Sequence, residues 1–156
     1  MATVSIAYGT RTEFGNDGNL NSITNTTAVV IGPCDNSSTL AGGFKIDATI
    51  KLASTGTTST GSVTFYLIES CDGGTTYTDN ITNVTTSSNQ SASIKNAKVV
   101  FVATANANSQ VVNVEFDLPV IAAPKKFSLI ISNGSGATLS ASGHSVYYTP
   151  INYTVA

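Results

Sequence analysis

The feature that most constrains this chain is the strict alternation of side chains along residues 44–52, from Phe44 to Leu52. Apolar residues stand at every second position, and polar or charged residues stand between them. A period of two residues is that of a β-strand, because successive side chains point to opposite faces. The segment therefore predicts a strand with one face in a core and the other in water or at a polar interface.

Residues 62–80 predict a central strand followed by a tight turn. Residues 63–68 alternate as a strand does, and Asp72-Gly73-Gly74 is a turn signal because glycine enters positive φ without a steric cost. Residues 75–78 are then expected to form a second strand and complete a β-hairpin. The residues expected to build this structural turn are Ser70, Asp72, Gly73, Gly74 and Tyr77.

The whole chain predicts an all-β fold. Turn clusters recur about every 10–15 residues, about 8–10 strands lie between them, and no useful length has the helical period. Two antiparallel sheets packed as a β-sandwich of jelly-roll type fit best, with a closed barrel as the second choice. No linker or repeat divides residues 1–156, so one domain is expected. Residues 1–20 begin with either a first strand or an extended N-terminal arm laid along a neighbour.

Two prolines mark expected limits of strands. Residues 23–31 predict a strand that Gly32-Pro33 ends, because proline has no N–H to donate to a ladder. Pro150 is expected to interrupt the closing strand over residues 145–155, or to confine that strand to a sheet edge.

The low charge of the chain limits its partners. Only 10% of the residues are charged, against about 25% in a usual domain, and the formal net charge is −2. Such a surface argues against duplex DNA or an anionic membrane as an electrostatic partner. It suits close packing against other protein.

The sequence also predicts the compartment of synthesis. No stretch approaches the ~20 apolar residues that span a bilayer, and the N-terminal residues lack the pattern of a secretory signal. Synthesis in the cytoplasm is therefore expected. Cys34 and Cys71 are then expected to be free thiols, with a disulfide between them as the alternative.

No residue pattern predicts catalysis. His144, the single histidine, lies in a turn, and nearby serines are too abundant to mark a triad. Two cysteines and one histidine far apart do not make a soft-ligand metal site. Asp72, Asp79 and Asn80 offer oxygen ligands for calcium, but without the spacing of an EF-hand, and Asp72 is expected to cap its turn instead. We expect no catalytic residue, no metal and no cofactor.

Two further patterns leave alternatives open. Glu115 and Asp117 share one face of a predicted strand, as paired carboxylates of a glycosidase or as ordinary solvated charges. Tyr147, Tyr148 and Tyr153 cluster near the C-terminus, and exposed tyrosines stack sugars in carbohydrate-binding modules. Neighbouring strand residues face opposite ways, so one of Tyr147 and Tyr148 is expected in the core.

Residues 70–77, Ser-Cys-Asp-Gly-Gly-Thr-Thr-Tyr, carry one resemblance. They resemble an Asp-box, the Ser-x-Asp-x-Gly-x-Thr-aromatic turn repeated in sialidase-type propellers. In those families the motif is a structural turn distant from catalysis. It occurs once here, in a chain without a blade period, so the resemblance implies a turn and not a sialidase.

Short segments along most of the chain carry a second resemblance. They are Ser5-Ile6-Ala7-Tyr8-Gly9, Asp47 in its alternating strand, Val63-Thr64-Phe65-Tyr66 leading to Asp72-Gly73-Gly74, residues 126–139, and Val146-Tyr147-Tyr148. In this order they resemble the jelly-roll decoration, or cement, proteins on the capsids of tailed bacteriophages.

The second resemblance implies a non-enzymatic virion protein on the capsid surface, made in the host cytoplasm. Its partner would be the major capsid protein of the assembled shell, bound across neighbouring subunits by a homo-oligomer, either a trimer or a dimer. No nucleic-acid or membrane partner is implied. A phage tail or fibre component and a carbohydrate-binding module are the alternatives.

Strand edges are the surfaces expected to contact the shell, because exposed edges invite pairing. Residues 99–103 are apolar on both faces and form either a central strand or one pressed against another subunit. The residues expected at the interface are Val4, Ile6, Tyr8, Val100 and Val102.

Overall fold

The computed structural model describes residues 3–82, 89–119 and 126–155. Within these ranges the chain forms nine β-strands and three short 3-10 turns, and no helix is long and apolar enough to cross a membrane. The 3-10 turns are Asp17–Leu20, Thr78–Asn80 and Ser91–Ser93. The strands are β1 (Val4–Tyr8), β2 (Thr12–Glu13), β3 (Thr27–Asp35), β4 (Gly43–Lys51), β5 (Ser62–Ser70), β6 (Lys98–Thr104), β7 (Val111–Pro119), β8 (Lys126–Gly134) and β9 (Ser145–Val155).

The strands form two antiparallel sheets. Sheet A has the order β1-β9-β4-β7, with β2 also paired to β9, and sheet B has the order β3-β8-β5-β6. Taken as one interrupted strand, β1 and β2 pair with β9, β3 pairs with β8, β4 with β7, and β5 with β6. One long folded hairpin rolled into two sheets is the jelly roll, so the predicted fold class is confirmed.

The main core lies between the two sheets. The alternation predicted for β4 is confirmed, with its apolar residues inside and its polar residues outside. Phe127 of β8 lies at the centre of an aromatic group, with ring centroids 4.8 Å from Phe44 and 6.4 Å from Phe14. Such pairs contribute about 0.5–1.5 kcal/mol each beyond the area they bury.

A second, smaller apolar cluster lies on the outer face of sheet B. Strand residues of β3, β5 and β8 are covered there by side chains of the β5–β6 connection, which is described at residues 71–82 and 89–97. This mostly polar connection thus shields one sheet face from water. The buried members of the second cluster are Ala28, Val30, Ile68, Tyr77, Ile81 and Ile130.

The prediction that Gly32-Pro33 ends a strand is wrong, because β3 runs through both residues. The register of β3 against β8 shifts between Ile31 and Cys34, so Pro33 lies in an irregularity of the ladder where no donor is required. Gly32 has φ +145°, and a Cβ there would lie 2.5 Å from Ser128 Oγ. Only glycine fits this close approach.

The prediction for Pro150 is also wrong, since β9 continues through it between β4 and the N-terminal strands. The Pro150 carbonyl accepts a hydrogen bond of 2.8 Å from the N–H of Gly9. The backbone of Pro150 therefore faces the gap between β1 and β2, because both polar groups of an antiparallel residue point the same way. In that gap the missing N–H leaves no ladder position unfilled.

The predicted hairpin after β5 does not form. β5 is a central strand, as predicted, but its neighbours are β8 and β6. Residues 71–76 are bends, and Tyr77 makes only an isolated bridge with Ile81. Residues 75–78 have no apolar alternation to bury, and distant strands pair with both edges of β5 instead.

The strands at the sheet edges settle two alternatives. β6 lies at the edge of sheet B, so residues 99–103 are not a central strand. β1 lies along β9 of its own chain, and Phe14 and Leu20 farther on are buried in the main core. The described N-terminal residues are thus part of the sandwich.

Candidate interaction surface

Five exposed apolar side chains lie together on β1 and β9, on the outer face of sheet A. Val4 is opposite Val155, and Ile6 is opposite Tyr153, so each pair shares one face of the sheet. We call these residues, with Tyr8, the β1–β9 face. The exposed fractions are 61% for Val4, 57% for Ile6, 64% for Tyr8, 54% for Tyr153 and 72% for Val155.

The β1–β9 face is exposed because these two strands project beyond the rest of sheet A. β4 last pairs with β9 where Gly43 is opposite Ile151, so residues 152–155 pair with β1 alone. The other side of this ribbon is exposed too, and there the hydroxyls of Ser5 and Thr154 form a hydrogen bond of 2.5 Å. The ribbon is a two-stranded projection without a core of its own.

Tyr153 is positioned by a glycine at the base of the ribbon. A Cβ on Gly42 would lie 2.7 Å from Cδ2 of the Tyr153 ring, so the ring rests on the bare backbone. The Gly42 N–H also donates to the carbonyl of Ile151 at 2.9 Å. A larger residue at position 42 would displace the ring from the face.

The β1–β9 face contains no charged residue, and two ion pairs that involve sheet A lie beside it. Lys45 Nζ lies 2.8 Å from Glu115 Oε1, and Arg11 Nε lies 3.4 Å from Asp47 Oδ2. The hydrogen bond from Lys45 lowers the pKa of Glu115. A glycosidase acid needs a raised pKa, so this arrangement favours solvated ion pairs over hydrolysis for Glu115.

The tyrosines near the C-terminus separate as predicted. Tyr148 packs against Phe14 in the core with ring centroids 4.9 Å apart, while Tyr147 faces outward. The guanidinium of Arg11 lies 3.4 Å from the centroid of the Tyr147 ring and covers it. Tyr8 and Tyr153 are the tyrosines with more than half of their surface exposed.

A smaller exposed apolar group lies along β6. Val99 and Val102 are about half exposed, whereas Val100 is partly buried against the main core. Of the two β6 residues expected at an interface, Val102 is exposed and Val100 is only partly exposed. The neighbouring edges of β6 and β7 border a depression of about 340 Å³, and no described strand pairs with the outer side of either.

The edge of β3 is capped by side chains. Asn16 Oδ1 accepts from the Gly32 N–H at 2.8 Å, and Asn16 Nδ2 donates to the Val30 carbonyl at 3.4 Å. Asn89 Oδ1 accepts from the Ala28 N–H at 3.1 Å. These bonds occupy alternate backbone groups that another strand would otherwise pair with.

The turn predicted at residues 70–77 is a loop built on Asp72. Asp72 Oδ1 accepts from the N–H groups of Thr75 and Thr76, each at 3.0 Å, and from the Ser70 hydroxyl at 2.7 Å. The Gly74 N–H donates to Ser70 Oγ at 2.8 Å. Hydrogen bonds led by that from Thr76 lower the pKa of Asp72 to about 2.

Positive φ angles explain the two glycines in the same loop. Gly73 has φ +80° and Gly74 has φ +97°, values that other residues rarely adopt. A Cβ on Gly74 would also lie 2.7 Å from Lys126 Cδ.

Asp79 holds the far end of the β5–β6 connection. Its carboxylate accepts from the N–H groups of Lys95, Asn96 and Ala97 at 2.8–3.0 Å. Its acceptor oxygens are thus directed at backbone donors, and the carboxylate has a structural role in holding residues 95–97 next to residue 79. Among the described residues, no three His, Cys, Asp or Glu side chains are grouped as metal ligands would be.

His144 bonds to the backbone on both sides. The Lys51 N–H donates to Nδ1 at 3.2 Å, so Nε2 carries the proton and donates to the Ser140 carbonyl at 2.9 Å. Neither ring nitrogen is available as a base, and the residue joins the end of β4 to the segment between β8 and β9.

The two cysteines are both free and have different surroundings. Cys34 is buried in the main core, and burial raises the pKa of its thiol to about 12. Cys71 is exposed in the Asp72 loop.

Comparison with known proteins adds no relative: no protein-family model matches the sequence, and no curated protein matches it.

Sequence reasoning named three of the five residues of the β1–β9 face as interface residues, named Tyr153 only as a possible sugar-stacking tyrosine, and missed Val155. The available signal was that Ile151, Tyr153 and Val155 stand at every second position at the end of β9 and therefore share one face of the strand. It does not reveal exposure, because that depends on where β4 stops pairing.

Proposed function

We propose that this protein is a virion structural protein that decorates and stabilises a phage capsid by binding across neighbouring shell subunits. The observation that carries the proposal is the uncharged, exposed β1–β9 face on a projecting ribbon. The resemblance of the sequence to jelly-roll decoration proteins supports the same role. The site of action would be the capsid surface, after synthesis in the host cytoplasm.

The chemistry of the described side chains supports binding over catalysis. His144 uses both ring nitrogens in backbone bonds, Glu115 is paired with Lys45, and Asp72 stabilises its own loop. An apolar face needs none of these groups, because burial of apolar area is favourable at roughly 25 cal/mol per Å².

Stabilisation of the shell follows from mass action. A protein that binds assembled subunits and not separated ones stabilises the assembly by RT ln(1 + [L]/Kd), about 2.7 kcal/mol per site at a hundredfold excess over Kd. A contact that spans two subunits adds this free energy directly to their association.

Co-sedimentation with the cognate shell tests the proposal. Purified empty capsids are incubated with the protein, pelleted, and heated with and without it. We expect saturable binding and a higher temperature of shell disruption. If the protein stays in the supernatant at every concentration, the proposal fails. If gold-labelled protein is found by electron microscopy only on tails of intact virions, the protein is a tail or fibre component instead.

Matched variants locate the contact. The double variant Ile6→Ser/Tyr153→Ser changes the β1–β9 face, whereas Val99→Ser/Val111→Ser changes exposed apolar residues at the β6 and β7 edges. We expect the first pair to lose shell binding and the second to retain it. Circular dichroism and a thermal melt establish that both variants are folded.

A carbohydrate-binding module is the second candidate, favoured by the two exposed tyrosines. Tyr8 and Tyr153 are diagonal neighbours on one face, an arrangement on which a sugar ring can stack. A glycan array decides between the two: specific binding that is lost in Tyr8→Ala and Tyr153→Ala would favour the sugar, and an empty array would favour the shell.

A further inference from the structure

We infer that two copies of this protein pair through the outer edge of β1, antiparallel and centred on Ile6, to give a two-fold symmetric dimer with a continuous sheet A. The inference concerns a strand edge and stands apart from what the β1–β9 face binds.

The outer edge of β1 has unpaired backbone groups in the described structure. The Gly9 N–H donates toward β9, to the Pro150 carbonyl, and Gly9 follows β1 directly. Antiparallel pairing alternates, so residues 5 and 7 also direct their backbone to β9, while Val4, Ile6 and Tyr8 direct theirs outward. Among the described residues no strand lies on that side of β1.

The edge of β1 also lacks the features by which edge strands avoid pairing. Natural edges have charges, prolines or bulges that prevent another strand from adding. β1 reads Val-Ser-Ile-Ala-Tyr, without any of these, and its register against β9 is regular. In contrast, the edge of β3 at the other sheet is capped by Asn16 and Asn89.

The residue pattern of β1 matches itself under a two-fold axis. Antiparallel pairing about Ile6 places Ile6 opposite Ile6 of the second copy, and Val4 opposite Tyr8 of the second copy. Each of these pairs exchanges N–H···O bonds in both directions, because their backbone groups point outward. The apolar side chains of both copies then lie on one face, and Ser5 meets Ala7 on the other.

Charge favours a second copy over a charged partner. Residues 4–8 and 151–155 hold no ionisable group except tyrosine, so self-pairing buries no ion and opposes no like charges. A two-fold interface must be self-complementary, and this edge is. The β1–β9 faces of both copies stay exposed and become one larger apolar surface.

Disulfide trapping tests the pairing without any shell. Directly opposite residues of a bonded antiparallel pair have Cα atoms about 5.5 Å apart, within the range of a disulfide. The variant Ile6→Cys is made in a Cys71→Ser background, since Cys71 is the exposed native thiol. We expect mild oxidation to give a reducible covalent dimer. The matched edge variant Val102→Cys, in the same background, should give no covalent dimer, although it still pairs non-covalently through β1.

A second measurement uses the backbone donor itself. Ile6→Pro removes only an outward N–H, so β1 can still pair with β9, and the melt of the variant should stay close to that of the wild type. We expect its dimer dissociation constant, measured by analytical ultracentrifugation, to rise about 10- to 100-fold, because each copy loses one bond.

Three outcomes would overturn the inference: a wild-type protein that is monomeric or trimeric at all concentrations, trapping at Val102 and not at Ile6, or an unchanged dissociation constant in Ile6→Pro. Because no capsid is present, these results do not depend on shell binding. A protein that forms the dimer but does not bind capsids would contradict only the proposed function.

Discussion

The outer faces of the two sheets are completed in different ways. On sheet B, the β5–β6 connection covers an apolar cluster, and asparagine side chains cap the β3 edge. On sheet A, the β1–β9 face is exposed, and the β1 edge has no described neighbour. The chain thus covers the apolar face of sheet B with the long, mostly polar β5–β6 connection, and it leaves the β1–β9 face exposed to water.

This difference indicates which face is suited to binding a partner. A face that is covered from within the chain contributes to stability, while an exposed apolar face of similar chemistry is the usual mark of an interaction site. Substitutions on sheet B should therefore change folding, and substitutions on the β1–β9 face should change binding.

Ile130→Ala should have the largest effect on folding. Ile130 is fully buried in the second cluster, so its truncation should cost about 2–5 kcal/mol of unfolding free energy. The matched variant Ile6→Ala, on the exposed face, should change stability by less than about 0.5 kcal/mol. Urea unfolding of both variants measures the contrast. Equal losses in the two would show that the faces do not differ as described.

Asn89→Ala should have the next largest effect, because it uncaps the β3 edge. The Ala28 N–H loses its acceptor, at a cost of about 1 kcal/mol, and the edge becomes able to pair with another chain. Asn113→Ala serves as the control, since the Asn113 side chain accepts a hydrogen bond from the exposed Thr49 hydroxyl on sheet A. Chemical denaturation and light scattering measure the two effects. An unaltered Asn89 variant would mean that the cap does not protect the edge.

Acidification should loosen the cover of sheet B through Asp72. The pKa of Asp72 is lowered from 3.8 to about 2 in the folded protein, chiefly by the hydrogen bond from the Thr76 N–H. The unfolded state therefore takes up the proton first, and the stabilisation, complete above about pH 4, is lost as the pH falls toward 2. Asp72→Asn should reduce the slope of stability against pH in that window.

The test of that slope is a series of denaturant melts between about pH 2 and pH 5. Asp35, whose pKa is also lowered to about 2 by the Ser37 hydrogen bonds, should keep part of the slope in the variant. Identical slopes in Asp72→Asn and the wild type would contradict the role given to the Asp72 carboxylate.

Thiol labelling should give the smallest, purely local contrast. Cys71 is exposed in the Asp72 loop, whereas Cys34 is buried and its pKa is raised to about 12 by burial. At pH 8 one thiol per chain should react quickly and the second only on unfolding. Two fast thiols would indicate that the core around Cys34 opens to reagent.

Strands with one buried and one solvent-exposed face could be predicted from the sequence, whereas irregular strands could not. Phe44 and Ile46 in β4 alternate with polar residues, and that period alone determines which side is buried. The passage of β3 through Pro33 depends on an irregularity opposite β8, which no local signal encodes. The pairing of β3 with β8, a strand distant along the chain, therefore decided where β3 ends.

The candidate interaction surface, too, could be predicted from the sequence only in part. Val4 and Ile6 lie on a terminal strand, and the sequence named them as expected interface residues because exposed strand edges invite pairing. The caps at Asn16 and Asn89 were not visible, because each side chain bonds to a strand that is distant along the chain or reached through a turn. The contrast between the sheets therefore required the structure.

Hydroxyl-radical footprinting on assembled shells tests the central claim most directly. Tyr8 and Tyr153 report on the β1–β9 face, and Tyr66, which packs against the second cluster on sheet B, is the internal control. We predict that shell binding reduces oxidation of Tyr8 and Tyr153 several-fold and leaves Tyr66 unchanged. Bound protein in which Tyr8 and Tyr153 remain as reactive as in the free protein would contradict the account.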